Sequence, residues 1–282
     1  MKIIDFRFRP HTESILRGLA ESPIFRDSLI AGGVDLEEFV GTAATVPDIA
    51  AELREAGITK ACLIGRDAET TYDYKPNNEE LKAFVKEAPS LFCAFAGLDP
   101  HKGMDCLCEL EDRVKKDGFT GAATDPIYNK LPIDAPEFYP IYAKCCELNV
   151  PIVITTGPAR FTRGTVAAFA HPDQIDRVAN FFPTLKIIVS HGAWPYVNEM
   201  IGVSFRNKNV WLEASEYEGF PQGEAYIAAA GGILRNRFVF ASAHPFVHYK
   251  KALALYQTFG FDDTTMARIM YENAAEALGL SD

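Results

Sequence analysis

The chain opens with Ile3-Ile4-Asp5-Phe6-Arg7-Phe8-Arg9-Pro10, where two apolar residues and an acid lead into arginines that alternate with phenylalanines. The period-two spacing predicts an extended strand with Arg7 and Arg9 on one face and Phe6 and Phe8 on the other. Two neighbouring guanidiniums repel each other and persist together only beside an anion or in water. The end of this strand is therefore a candidate anion-binding position.

Seven further strand-like runs follow, and helical patterns separate them. The runs are nearly continuous apolar segments, as a parallel sheet covered on both faces requires. They occupy residues 60–65, 91–97, 119–125, 150–157, 185–191, 209–215 and 237–243. Eight strand–helix repeats predict an α/β fold of the (β/α)8 TIM-barrel type, with residues 1–282 in a single domain.

The stretch 11–44 interrupts the alternation after the first strand. It carries apolar residues such as Leu16, Leu19, Phe25 and Phe39, which indicate an ordered excursion. Because it departs from the end of the first strand, where barrel enzymes place their chemistry, it is a candidate active-site lid.

Composition narrows the classes of partner. The 28 Lys and Arg against 38 Asp and Glu give a formal charge of −10, which argues against a nucleic-acid partner but permits a local basic pocket. No run approaches the ~18–20 apolar residues of a membrane helix. Met1-Lys2 leads into the first strand without an apolar signal region, so we expect a cytoplasmic protein with no membrane partner. A homo-oligomer is compatible with these features.

Polar side chains stand at the predicted strand ends. In a parallel barrel these ends meet on one face, where catalytic groups collect. A buried core would not tolerate such a set without pairing. The candidate site residues are Arg7, Arg9, Arg66, Asp125, Thr155, His191, Trp194, Glu213 and His244.

Each leading candidate residue has two possible roles. Arg7 and Arg9 are predicted to clamp a substrate carboxylate, or they pair with Asp125 or Glu213 across the barrel mouth. His191 is predicted to act as a general base or acid, or it is hydrogen-bonded beneath the arginines. Asp125 is either a second acid/base group or a partner of Arg9.

The remaining candidates are assigned to substrate binding. Arg66 and Thr155 belong to the rim, and Trp194 is either a pocket wall or helix-start packing. Glu213 either faces the substrate or pairs inside the barrel. His244 is predicted to be a polar pocket wall.

Several motifs occur in order along the chain. They are Ile-Ile-Asp-Phe at 3–6, Leu-Asp-Pro at 98–100, Phe-Tyr-Pro-Ile-Tyr at 138–142 before Val-Pro-Ile at 150–152, His-Pro at 171–172, Ser-His-Gly-Ala-Trp-Pro at 190–195 and the closing 271–280. With this order and spacing the chain resembles the amidohydrolase-related (amidohydrolase 2) family of metal-dependent TIM-barrel hydrolases and decarboxylases. The resemblance covers essentially the whole chain.

The chain departs from the metal-binding pattern that this resemblance implies. The family pattern has His-x-His where Arg7-Phe8-Arg9 stands, a histidine where Thr155 stands and an aspartate where Ala243 stands; His191 is retained. Zinc takes three or four N, O or S ligands, and a guanidinium does not ligate cations. We therefore predict that the family metal site is absent and that no cofactor is required.

The leading functional prediction is a metal-independent hydrolase acting on a small carboxylate-bearing substrate such as a lactone or ester. Arg7 and Arg9 would hold a carboxylate or the oxyanion, and His191, with Asp125, would activate water. One alternative is a decarboxylase or lyase of the same family. The other is a catalytically inactive barrel that binds a small acid.

Overall fold

Parallel strands alternate with helices in the computed structural model, which describes residues 1–280. The strands are β1 (Ile3–Phe8), β2 (Ile58–Ile64), β3 (Phe92–Gly97), β4 (Gly121–Thr124), β5 (Ile152–Thr155), β6 (Ile187–Ser190) and β7 (Val210–Leu212). They pair in chain order, which confirms the predicted barrel.

The helices connect and cover these strands. They are α1 (Glu13–Ala20), α2 (Arg26–Ala31), α3 (Leu36–Gly41), α4 (Val46–Glu55), α5 (Glu69–Tyr72), α6 (Asn78–Glu87), α7 (Met104–Asp117), α8 (Pro126–Asn129), α9 (Tyr139–Leu148), α10 (Pro172–Phe181), α11 (Val197–Arg206), α12 (Gly223–Gly231), α13 (Tyr249–Gln257), α14 (Asp263–Ala267) and α15 (Asn273–Leu278). Among residues 1–280, no helix combines the length and the apolar character that a membrane crossing demands.

The barrel closes through the segment 238–244. The Val239 amide donates to the Leu212 carbonyl of β7 at 3.0 Å, and the Phe6 amide of β1 donates to the Phe240 carbonyl at 2.9 Å. The segment therefore bridges β7 and β1, but its bonds are too irregular for a continuous ladder. The predicted eighth strand is present as an irregular extended segment.

A buried carboxylate explains this irregular seam. Asp5 Oδ1 accepts hydrogen bonds from the Ser242 amide at 2.9 Å and from the Arg7 amide at 3.2 Å. Ala243 then adopts a left-handed backbone with φ of 58°. Burial raises the pKa of Asp5 to about 7, opposed by its hydrogen bonds from Ser242 and Arg7. A side chain thus replaces part of the backbone ladder.

A bulge in β1 separates the two phenylalanines of the opening stretch. Relative to β2, β1 has one extra residue between Asp5 and Phe8. Phe6 consequently packs inside the barrel on Phe95, whereas Phe8 packs in the outer layer and stacks on His244 with ring centroids 4.9 Å apart. The prediction that Phe6 and Phe8 share a face is wrong.

The inner core fills one end of the barrel. Side chains such as Ile4, Cys62, Phe95 and Trp211 form an apolar cluster that alanines of α15 join. A larger cluster lies between the strands and the surrounding helices. Because the apolar filling stops short of the C-terminal strand ends, those ends are left for polar side chains.

Candidate active site

A cavity of about 320 Å³ lies at the C-terminal ends of the strands. This volume suits a small organic molecule. Its charged and polar lining comes from Arg7, Arg9, Arg66, Asp125, Thr155, Thr156, Arg160, His191 and Glu216, and its aromatic walls come from Phe25, Tyr128, Tyr217 and Phe246.

Arg7 is held from behind by hydroxyl groups. Its Nη1 donates to Ser190 Oγ at 2.9 Å and to Thr155 Oγ1 at 3.4 Å. The Ser190 hydroxyl in turn donates to Glu213. Burial lowers the pKa of Arg7, and the nearby Glu213 charge opposes that shift. The guanidinium is thus fixed in place while no carboxylate contacts it directly among the described residues.

Arg9 brings a second cation to the same cavity. Its guanidinium lies 5.3 Å from the centroid of the Phe246 ring, and its buried Nη1 has no hydrogen-bond partner within residues 1–280. Burial and the charges of Arg7 and Arg66 lower the pKa of Arg9 to about 9. Arg9 is still cationic at neutral pH, and an anion beside it would relieve the cost of burying its charge.

Arg66 and Asp125 form a buried ion pair. Arg66 Nη2 lies 2.6 Å from Asp125 Oδ1, and the guanidinium lies over the rings of Phe25 and Tyr128 at 4.7 and 4.8 Å. Asp125 therefore pairs with Arg66 and not with Arg9, the partner considered from the sequence. One face of its carboxylate is occupied by this ion pair.

His191 lines the cavity, and one of its ring nitrogens is unprotonated. Its Nδ1 lies 2.9 Å from the Ser215 carbonyl oxygen, and a carbonyl only accepts, so Nδ1 carries the proton. Nε2 is then left with its lone pair. Burial, reinforced by the charge of Arg7, lowers the pKa of His191 well below its usual value. The imidazole is therefore a neutral potential base.

Glu213 lies behind the cavity and organises the residues in front of it. Its Oε1 accepts from the His191 amide at 3.1 Å, and its Oε2 accepts from the Ser215 amide at 2.7 Å. It also accepts from the Ser190 hydroxyl, which contacts Arg7. Glu213 is outside the cavity lining, so the structure places this predicted substrate-binding residue in a supporting position.

Trp194 and His244 also lie outside the lining. The Trp194 indole donates to the Pro221 carbonyl at 3.0 Å and stacks on Tyr217, which itself faces the cavity. His244 Nε2 lies 3.0 Å from His11 Nδ1 in the outer layer. His244 also stacks on Phe8, which packs in the outer layer.

Glu216 lines the cavity and was not predicted. Its Oε2 lies 3.7 Å from His191 Nδ1, and burial raises its pKa. His191 and Glu216 both adopt left-handed backbone conformations, with φ of 66° and 74°. Such strain in non-glycine residues concentrates at functional sites. The sequence feature that could have identified Glu216 is its position in a strand-end loop, three residues after Glu213.

Two segments outside the strands line the cavity. Phe25 and Leu29, in the stretch 11–44, contribute to its lining. The Ser28 hydroxyl donates to the Arg160 carbonyl at 2.8 Å, which ties this stretch to the loop after β5. Arg160 also lines the cavity and was not predicted, because long-loop positions carry no periodic signal.

The side chains at the strand ends do not fit a catalytic metal. Zinc and related ions need several imidazole, thiolate or carboxylate ligands. Over residues 1–280, no group of three or more His, Cys, Asp or Glu side chains is arranged to hold one. The ends of β1 and β5 instead supply guanidiniums and hydroxyls around His191.

Comparisons with known proteins agree with this fold. A family model described as amidohydrolase matches residues 42–280. Among curated proteins, the decarboxylase orsB of Emericella nidulans is 24% identical over 308 residues, covering 86% of this chain and 91% of that protein.

Several solved structures share this fold. An uncharacterised TIM-barrel protein, Bb4693 of Bordetella bronchiseptica, is 26% identical with a TM-score of 0.81 over 99% of both chains. The 2,6-dihydroxybenzoate decarboxylase of Rhizobium is 19% identical, with a TM-score of 0.70 over 99% of both chains. A probable 2-pyrone-4,6-dicarboxylic acid hydrolase of Acinetobacter baumannii is 16% identical, with a TM-score of 0.60 over 84% of this chain and 90% of that one.

Proposed function

The chain belongs to the amidohydrolase family, and on that premise we propose that it is a metal-independent hydrolase that opens a small carboxylate-bearing cyclic ester. One observation carries the proposal. Arg7 and Arg9 share a cavity with the neutral His191, and neither arginine forms an ion pair within the described part of the chain. Fixed positive charge beside a neutral base suits a reaction in which an oxyanion develops.

The cavity also favours a particular substrate class. Its aromatic walls, Phe25, Tyr128, Tyr217 and Phe246, suit a flat ring. Its arginines suit one or more carboxylates, since guanidiniums bind carboxylates in bidentate geometry. A planar lactone that carries a carboxylate combines both features.

In the proposed reaction, His191 Nε2 removes a proton from water as the water oxygen attacks the lactone carbonyl. Arg7 or Arg9 stabilises the oxyanion that forms. The carbon–oxygen bond of the ring then breaks, and the leaving oxygen takes a proton from His191 or from Glu216, whose pKa is raised by burial. The net change adds one water and yields an open-chain hydroxy or keto acid.

Substrate binding would strengthen the base. Burial lowers the pKa of His191 in the free protein, and the charge of Arg7, and to a lesser degree that of Arg9, lowers it further. A substrate carboxylate beside these arginines offsets their charge, so the pKa of His191 rises in the complex. The imidazole thereby becomes a better proton acceptor when substrate is present.

Decarboxylation is the second candidate, and the sequence similarity to a decarboxylase favours it. Arg7 and Arg9 would not favour decarboxylation if they held the departing carboxylate. They would stabilise the charged carboxylate more than the uncharged carbon dioxide that leaves. In a decarboxylase they would hold a different anionic group, and Glu216 would deliver the proton to carbon.

A substrate panel tests the proposal. 2-Pyrone mono- and dicarboxylates are followed by loss of ring absorbance, and dihydroxybenzoates are followed by release of carbon dioxide. We expect lactone opening, and we expect Arg7→Ala and His191→Ala each to reduce kcat/KM by about 10²–10⁴-fold. Arg177→Ala, on the surface, is the control.

Each outcome of the panel is decisive. Carbon dioxide release without lactone opening would replace the proposal with decarboxylation. Carboxylate binding without turnover of either class would identify an inactive binding protein.

A further inference from the structure

A second cavity of about 200 Å³ lies next to the first. Arg9, Phe25 and Arg66 line both cavities, so these three side chains form the wall between them. The rest of the second cavity has a lining that includes Ser14, Ile15, Gly18, Leu19, Lys75 and Glu80. The reaction proposed above uses only the first cavity.

The dividing wall carries hydrogen-bond donors that have no acceptor. Arg66 is only 6% exposed, and its Nε and Nη1 are buried without a partner in residues 1–280; Arg9 Nη1 is in the same state. Of the Arg66 side-chain nitrogens in the described part of the chain, only Nη2 donates to the Asp125 carboxylate. Unmade hydrogen bonds on buried charged groups are costly, so these donors indicate a missing acceptor.

The charges around the second cavity favour an anion. Arg9 and Arg66 form its wall, and Lys75 adds a third cation. Glu80 is the opposing acid, and it already accepts a hydrogen bond from the Ser14 hydroxyl. Ile15, Leu19 and Ile64 supply an apolar side. Cations beside an apolar surface suit a small carboxylate with a short carbon stem.

We propose that the second cavity is a carboxylate-binding subsite, and that Arg9 and Arg66 bind an anion on each of their two sides. The carboxylate belongs either to a second acidic group of the substrate or to a separate small acid. The subsite follows from the wall between the cavities and does not depend on which reaction occurs in the first one.

Calorimetric titration with acetate tests the subsite. We expect two acetate ions per chain, one in each cavity. Gly18→Leu would place a side chain in open space beside the second cavity, since nothing lies within 4 Å of a Cβ at this position. We expect this variant to bind one acetate.

Gly202→Leu is the matched control, because Gly202 is also an exposed helical glycine with open space around it. We expect it to bind two acetate ions. A single acetate in the unsubstituted protein, or two in Gly18→Leu, would overturn the proposal.

Charge variants give a second readout that does not depend on filling the cavity. Lys75→Met should weaken the second acetate site at least threefold, and Glu80→Gln should strengthen it by a similar factor. Neither residue lines the first cavity, so the first site should keep its affinity. Equal affinities in all three proteins would contradict the assignment.

Dicarboxylates distinguish the two sources of the anion. If a substrate group reaches the subsite, one glutarate or longer dicarboxylate displaces both acetate ions. If a separate acid occupies the subsite, each bound dicarboxylate displaces one acetate ion. Because these titrations involve no turnover, failure to open lactones would leave their result unchanged, and the two proposals fail independently.

Discussion

At the end of β1, a pair of guanidiniums and a neutral imidazole share one cavity, and their charges are coupled. Burial, together with the charges of Arg7 and Arg9, lowers the pKa of His191, while no carboxylate forms an ion pair with either arginine among residues 1–280. Glu213 supports this arrangement from behind through Ser190 and the His191 amide. The state of the base therefore depends on whether an anion occupies the cavity.

The pH dependence of turnover should show this coupling. The profile of kcat/KM reports the free protein, where His191 has a lowered pKa, and the profile of kcat reports the complex. Since His191 is active when neutral, activity falls as pH drops through its pKa. We expect the acid limb of kcat to lie at higher pH than that of kcat/KM.

Arg9→Met provides the control for this profile. Removing one positive charge should raise the pKa of His191 in the free protein and narrow the gap between the two limbs. Identical limbs for kcat and kcat/KM in the unsubstituted protein would contradict the coupling.

The buried Arg66–Asp125 pair should matter for stability. Arg66→Met leaves a buried carboxylate without its partner, and we expect the free energy of unfolding to fall by about 3–5 kcal/mol. Arg177→Met breaks an exposed pair with Asp134 that has the same 2.6 Å contact, and we expect a loss below about 1 kcal/mol. Urea titrations measure both, and equal losses would contradict the difference in burial.

Position along the chain identified part of the site. Arg7, Arg9, Arg66, Asp125 and His191 all line the cavity, because strand ends converge in a barrel. The sequence could not show whether a side chain at a strand end reaches the cavity or lies behind it. Glu213, Trp194 and His244 are withdrawn from the cavity by hydrogen bonds and packing contacts with distant residues.

At the scale of elements, β1 and the closing segment 238–244 define the site. The strand alternation correctly indicated that Arg7 and Arg9 lie together, but it missed the bulge. The bulge accompanies contacts between Asp5 and Ser242, which are 237 residues apart. Such long-range contacts leave no periodic signature in a single sequence.

The contact between the stretch 11–44 and the loop after β5 should control access to the cavity. Ser28→Ala removes the hydrogen bond to the Arg160 carbonyl, worth about 0.5–1.5 kcal/mol. We expect trypsin to cleave after Arg160 and Arg163 about 2–10 times faster, as the loop opens more often.

Thr258→Ala is the control for this proteolysis, because it removes a hydroxyl-to-carbonyl bond at the end of α13, away from the cavity. Unchanged cleavage in Ser28→Ala would show that the tether does not restrain the loop. Cleavage at the same sites should slow when a carboxylate ligand fills the cavity.

For the whole molecule, the barrel could be predicted from the sequence because the same strand and helix patterns recur along the chain. Buried parallel strands are apolar throughout, and helix starts such as Thr45, which caps α4, follow local rules. Asp262 caps α14 in the same way, because its side chain accepts from the Thr265 amide. The second cavity had no sequence signal, since its lining comes from separate segments.

Global stability should depend on pH through the outer-layer histidines. Burial, with the charges of His11 and His248, lowers the pKa of His244 to about 2. In the unfolded chain His244 binds a proton near pH 6.5, whereas in the folded protein it stays neutral at that pH. The free energy of unfolding therefore falls as pH drops below about 6.5.

His244→Phe should remove this contribution. We expect the loss of unfolding free energy between pH 8 and pH 5 to become smaller by about 2 kcal/mol than in the unsubstituted protein. Parallel denaturant titrations at the two pH values measure it. The same loss in both proteins would mean that His244 takes up a proton in the folded state.

The proposed role of the Arg7 and Arg9 guanidiniums is to supply, without a metal ion, the positive charge that stabilises the oxyanion. Its most direct test is the rate of opening of a 2-pyrone carboxylate by protein treated with a chelator and assayed in metal-free buffer, before and after addition of Zn²⁺ or Mn²⁺. We expect chelation to leave kcat/KM unchanged, added metal not to raise it, and Arg7→Ala to lower it at least 100-fold. Activity that is lost on chelation and restored by the metal would show instead that the enzyme depends on a metal ion.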